Sequence, residues 1–196
     1  MINQHQTSAA RFQRRLLLRC FIGFVLTASS LAAQNPKPKE YELKAVYLFN
    51  FARLAAWPDT AGSSKSESFA ICVLGEDPFG PFLDAVISGE NIGGRAVVAR
   101  RISDPRDAAS CRVLYVSSSE ETRLKQILTT LNKARVLTVS DMPQFSQRGG
   151  MIQFVADNNK IRFEVNLKNT SDSGLTLSSE LLKVAVAVIT SPPPGD

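Results

Sequence analysis

Six consecutive apolar residues, Phe69 to Leu74 (FAICVL), run without a polar interruption into Gly75, Asp77 and Pro78. A strand with one wet face would alternate, so a continuous run of this length reads as a strand covered on both sides. Coverage on both sides requires a helical layer above and another below. The first helix after this strand is legible at once: Asp77 is suited to cap it, Pro78 to open it, and Phe79, Phe82, Leu83, Val86 and Ile87 recur at helical spacing until Gly89.

The same alternation continues along the chain. Ala96–Ala99, Val113–Val116 and Val136–Val139 are short apolar strands. Between the last two, Ser118 and Glu121 form a capping box ahead of Leu124, Ile127, Leu128 and Leu131, which share one helical face. Ser140 or Asp141 is placed to cap a short helix containing Pro143 and Phe145. Gly149 and Gly150 then introduce a hairpin, Met151–Ala156 and Lys160–Asn166, in whose second arm Ile161, Phe163 and Val165 alternate with Arg162, Glu164 and Asn166. In Ser178–Thr190 the valines favour a strand, but a serine cap and the stripe Glu180, Lys183, Ala187, Thr190 favour a helix, which is the expectation. Together these segments predict one three-layer α/β domain with a mainly parallel sheet flanked by helices and an antiparallel hairpin near one edge.

Glu40 to Pro58 (EYELKAVYLFNFARLAAWP) precedes every strand and predicts a helix ending at Trp57. Tyr41, Leu48, Phe51, Ala52 and Ala55 fall on one side, the stripe of a core-facing helix. The other side carries Glu42, Asn50 and Arg53, yet Val46, Phe49, Ala56 and Trp57 lie among them. A helix apolar nearly all round needs a second partner. That partner is another part of the same chain, such as the C-terminal helix, or a second copy, or another protein; for contact outside the chain the candidate residues are Val46, Phe49, Arg53 and Trp57. Lys44 projects from the middle of the apolar side; its stem could pack along the core with the ammonium reaching solvent, or it could form a buried ion pair with Glu164 or Asp141.

Residues 1–32 read as a secretory signal peptide: Arg11, Arg14, Arg15 and Arg19, the apolar run Cys20–Leu31, and small residues for cleavage near Ala32. That run is 12 residues long, short of the roughly 20 needed to span a membrane. Cleavage would place the chain in the periplasm. Residues 33–39 read as a tether, 40–190 as the domain, and 191–196, with three prolines, as a disordered tail. Removing the leader's four arginines from 23 basic residues leaves 19 against 18 acidic ones. No basic block remains for nucleic acid.

The only histidine, His5, lies in the leader, as does Cys20. Without a histidine the mature chain lacks the usual general base, the Ser-His-Asp triad and most transition-metal sites, so neither an enzyme nor a cofactor is expected. Cys72 and Cys111 remain; a single bridge is the simplest account of them, and two buried thiols the alternative. Gly75 to Gly80 (GEDPFG) sits where a strand passes into a helix but lacks phosphate-loop spacing and carries Glu76 and Asp77, which would repel an anion. A ligand loop around Gly75 and Ser117 is the competing functional reading, that of a small-ligand sensor or transport accessory.

The segments YELKAVYLFNFARLAAWP, FAICVLGEDPFG, GGRAVVARR, CRVLYVSSSE, VLTVSDMPQFSQRGGMIQFV, IRFEVNL and GLTLSSELLKVA resemble, in order, the YfiR-like family of periplasmic regulators, from about Tyr41 to Ala187. The resemblance implies a secreted, usually dimeric α/β domain that binds the periplasmic part of an inner-membrane diguanylate cyclase, represses it, and so restrains cyclic di-GMP signalling and biofilm formation. It also implies a disulfide between Cys72 and Cys111. Some members have a second cysteine pair near the segment matching Asp141 to Met151; Ser146 and Gly149 to Met151 offer none here.

Overall fold

The computed structural model describes residues 36–58, 68–132, 134–158 and 160–190. The segment expected to be a signal peptide, 1–32, the start of the expected tether and the expected tail 191–196 lie outside the described residues.

The run Phe69–Leu74 is strand β2, and all six of its residues are buried. Before it come helix α1 (Pro36–Leu54) and the two-residue strand β1 (Ala55–Ala56). After it follow α2 (Pro81–Ile87), β3 (Asn91–Ile92), β4 (Arg95–Ile102), β5 (Val113–Val116), α3 (Leu124–Thr130), β6 (Leu137–Ser140), β7 (Ile152–Asp157), β8 (Lys160–Asn166), α4 (Leu167–Asp172), β9 (Thr176–Leu177), α5 (Ser179–Val184) and β10 (Ala187–Ile189). Eight strands form one sheet in the order β10-β8-β7-β6-β5-β2-β4-β3, while β1 and β9 pair separately. Strands β4, β2, β5, β6 and β7 run parallel; β7 and β8 form the antiparallel hairpin, with Phe154 opposite Phe163.

The unbroken apolar run is explained by the two cores it serves. Phe69, Ile71 and Val73 join Val113, Tyr115, Leu137 and Val139 beneath α1 and α2. Ala70, Cys72 and Leu74 face the other way, joining Leu114, Val116, Leu124 and Ile127 beneath α3. Successive side chains of a strand point to opposite faces, so each face needs its own apolar set. Cys72 and Cys111 form a disulfide within the second core, their Cα atoms 5.9 Å apart.

Several boundaries differ from expectation, some for local and some for tertiary reasons. Helix α1 starts at Pro36, taking in residues assigned to the tether; prolines fit a first turn, where N–H groups lack helical partners anyway. It stops at Leu54 rather than Trp57 because Ala55 and Ala56 pair with Leu177 and Thr176, and the Leu54 carbonyl accepts from the Ser178 N–H at 2.8 Å. Helix α2 begins after Gly80, since Asp77 caps the Phe79 N–H at 2.8 Å one turn earlier. Strand β4 extends through Arg100 and Arg101, the latter bracing Asp77 and Asp84 at 2.8 and 2.6 Å.

The capping residue before α3 is Ser117, whose Oγ accepts from the Ser119 N–H, and residues 118–123 form a tight 3-10 turn rather than the start of the α-helix. Around Pro143 and Phe145 there is a series of hydrogen-bonded turns and no helix. The C-terminal segment is divided. Ser178 caps α5 through the Leu181 N–H, but the chain is extended from Ala185, and β10 adds to the sheet parallel to β8. There the strand preference of Val188 and Ile189 prevails over the polar stripe, because an open sheet edge offers β-branched residues a pleated surface.

Candidate functional site

On its inner side α1 buries Ala45, Leu48, Phe51 and Ala52 against the first core. On its outer side Leu43 and Val46 are 45% and 41% exposed, and Arg53 is exposed. Phe49, expected on the contact surface, is buried at 7% and belongs to the core, with the Arg53 guanidinium 5.7 Å from its ring centroid. Trp57 is half-buried: its ring meets Phe69 edge-on and its Nε1 donates to the Arg135 carbonyl at 2.9 Å. Of the four expected contact residues, Val46 and Arg53 thus stand at the surface, and Leu43 joins them. Leu43 was legible in the spacing, because residues 39, 42, 43, 46, 50 and 53 form one helical stripe.

Lys44 is buried at 3% and engaged in an ion pair, but its partner is not Glu164. Its Nζ donates to Asp141 Oδ2 at 2.6 Å and reaches Glu40 at 2.5 Å, while lying 4.4 Å from the Tyr41 ring centroid. Tyr41 donates its hydroxyl to the same Asp141 oxygen at 2.8 Å. Burial pushes the Asp141 carboxyl up, but the hydrogen bond and charge of Lys44, with the hydroxyls of Tyr41 and Tyr115, outweigh it and hold the group below the usual carboxylate range. Both tyrosines are raised, first by burial and then by Asp141. Asp141 follows β6 directly, so this cluster fastens the first turns of α1 over the carboxyl ends of the central strands. Glu164 lies elsewhere, accepting from Ser146 Oγ at 3.2 Å.

The loops that follow β2 and β5, which carry Gly75 and Ser117, pack directly on one another. Gly75 adopts a φ of 89°, and a Cβ there would stand 2.5 Å from Ser119 Oγ and 2.8 Å from Glu120 Cγ. The Glu76 N–H donates to Ser119 Oγ at 3.0 Å, and the Ser117 N–H donates to the Leu74 carbonyl at 3.0 Å. The two loops are thus in direct contact with one another. Gly75→Ala is expected to cost about 1–3 kcal/mol, from backbone strain plus displacement of the 119–120 turn, as read by chemical denaturation. An unchanged midpoint would show that the loops separate freely.

The loop 142–150 is anchored by a polar network that the sequence pattern did not reveal. The backbone N–H and the hydroxyl of Ser146 both reach Gln153 Oε1, at 3.1 and 3.2 Å, and Asn166 Nδ2 donates to the Ser146 carbonyl at 2.8 Å. All three side chains are buried. Non-covalent bonds therefore hold this segment. Among the described residues no cluster of three His, Cys, Asp or Glu side chains could hold a metal, and no helix is long and apolar enough to cross a membrane.

Two solved structures are similar in part. A conserved domain protein from Vibrio cholerae O1 biovar El Tor is 11% identical with a TM-score of 0.48, covering 61% of this chain and 54% of that one. The ABC domain in complex with L-Trp from Streptococcus pneumoniae is 12% identical with a TM-score of 0.46, covering 62% and 55%. The chain spans about half the length of each. A family model is more informative: the one described as YfiR/HmsC-like matches residues 41–186, from the first turns of α1 to the residue before β10. By that match the chain belongs to the YfiR/HmsC-like family of periplasmic regulators.

Proposed function

We propose that this protein, after removal of residues 1–32, acts in the periplasm as a homodimeric repressor that binds the periplasmic part of an inner-membrane diguanylate cyclase. Contact holds the cyclase inactive and so lowers cyclic di-GMP and biofilm formation. The observation that carries the reading is the outer stripe of α1, where Leu43 and Val46 stand exposed beside Arg53 on a helix whose opposite side is locked into the core. Apolar side chains next to an arginine suit a contact that buries its centre and keeps charge near the rim. The Lys44–Asp141 pair keeps that stripe in a fixed orientation, so little ordering is required on binding.

Co-expression with the cyclase should recover the two proteins together from detergent-solubilised membranes and lower cyclic di-GMP relative to the cyclase alone. Absence of the cyclase from the purified fraction, with its output unchanged, would overturn the reading.

A further inference from the structure

A cleft of about 390 Å³ opens between α3, the loop before β7 and α4, at the end of the sheet where the parallel strands begin. This is the end opposite to the loops at Gly75 and Ser117, and the contact stripe of α1 takes no part in it. Its size falls within the roughly 300–1,000 Å³ of small-molecule sites. Leu128, Leu131, Val136 and Met151 give it an apolar floor.

The polar groups around that floor are unequal in what they have left to bind. Asp172 is neutralised by Lys168 at 2.5 Å, and Arg148 is paired with Glu121 at 3.2 Å. Lys125, in contrast, pairs with no carboxylate among the described residues, although it lines the cleft. Thr138 is buried at 2% and accepts from the Met151 N–H at 3.1 Å, which leaves the proton of its hydroxyl to donate. Two of the last carbonyls of α3, those of Ile127 and Thr129, already accept from the Leu131 and Asn132 N–H groups.

We infer that this cleft binds a small organic anion, a monocarboxylate with an apolar body, whose carboxylate meets Lys125 and whose body lies on the Leu128–Met151 floor. The assignment goes beyond repression by protein contact and does not depend on it.

Hexanoate tests the inference, with hexylammonium and hexanol as controls that keep the body and change the head. Titration into the full-length protein, followed by amide chemical shifts and by melting temperature, should show saturable hexanoate binding with a dissociation constant on the order of 1 mM. The shifts should centre on residues 125–132, 136–138, 148–151 and 169–173. Lys125→Glu, a change at an exposed site, should weaken hexanoate at least tenfold while leaving the spectrum of the free protein otherwise intact. Thr129→Trp, which fills the cleft from its rim, should abolish binding. Equal binding of hexylammonium or hexanol, shifts centred on another part of the molecule, or undiminished binding by Lys125→Glu would each overturn it.

Discussion

Replacing Lys44 by methionine will destabilise the protein by about 3–5 kcal/mol at neutral pH, the cost of leaving a buried charge without its counter-ion. The substitution keeps the length and apolar stem of the side chain, so the loss reports the missing ammonium rather than a cavity. Asp141 would retain the hydroxyls of Tyr41 and Tyr115 but lose its cation. The pH dependence separates this explanation from a packing defect. In the native protein the Asp141 carboxyl is held below its unfolded value of about 3.9. Its contribution is thus present above that pH and is lost as pH falls through the folded value.

Without Lys44 the upward push of burial is opposed only by the hydroxyls. The carboxyl then rises above its unfolded value, and the variant recovers relative stability as the group protonates. Denaturation at pH 7 and pH 4 should show the gap between the two proteins narrowing in acid. The double variant Lys44→Met with Asp141→Asn should regain much of the loss at pH 7. A gap of constant size, or no recovery in the double variant, would mean that Lys44 acts through its stem.

Cys72→Ala will cost about 2–5 kcal/mol, and Cys111→Ala nearly the same, because either change removes one bond that closes a separation of 39 residues. Alanine is the appropriate replacement, since both positions are buried and a serine hydroxyl would require a partner. The bridge joins the middle of β2 to the residue before the 112–113 step into β5, so it secures neighbouring strands on the α3 side of the sheet. Reductant should lower the native protein's denaturation midpoint toward that of the alanine variants and leave the variants unmoved. Native and reduced proteins with the same midpoint would show that the strand pairing alone supplies the stability.

Much of this architecture is written in local pattern. The limits of β2 and β5 follow from apolar runs bounded by glycine, cysteine or serine, those of β8 from alternation after a polar turn, and sheet burial on two faces explains why FAICVL contains no polar residue. Helix ends were less legible, because their backbone groups are claimed by distant segments: Leu54 by Ser178, Ala55 by Leu177. Periodicity cannot register a partner some 120 residues away. The same limit applies to the site. Lys44 stood out as a cation on an apolar face, but the choice between Asp141 and Glu164 depended on which strand end lies under α1. Phe49 was misplaced for a similar reason, since a helical wheel ranks directions and does not show how far the core wraps round a helix. The α3–α4 cleft has no signature, being assembled from four separate segments.

The most direct test of the proposed contact is Val46→Asp, measured for folding and association in parallel. Val46 is 41% exposed, so the substitution should change unfolding free energy by no more than about 0.5 kcal/mol. Placed within the apolar stripe, the same carboxylate should weaken binding to the cyclase's periplasmic part at least tenfold, equivalent to about 1.4 kcal/mol. Undiminished binding by a normally folded variant would contradict the assignment of this stripe as the repressing surface.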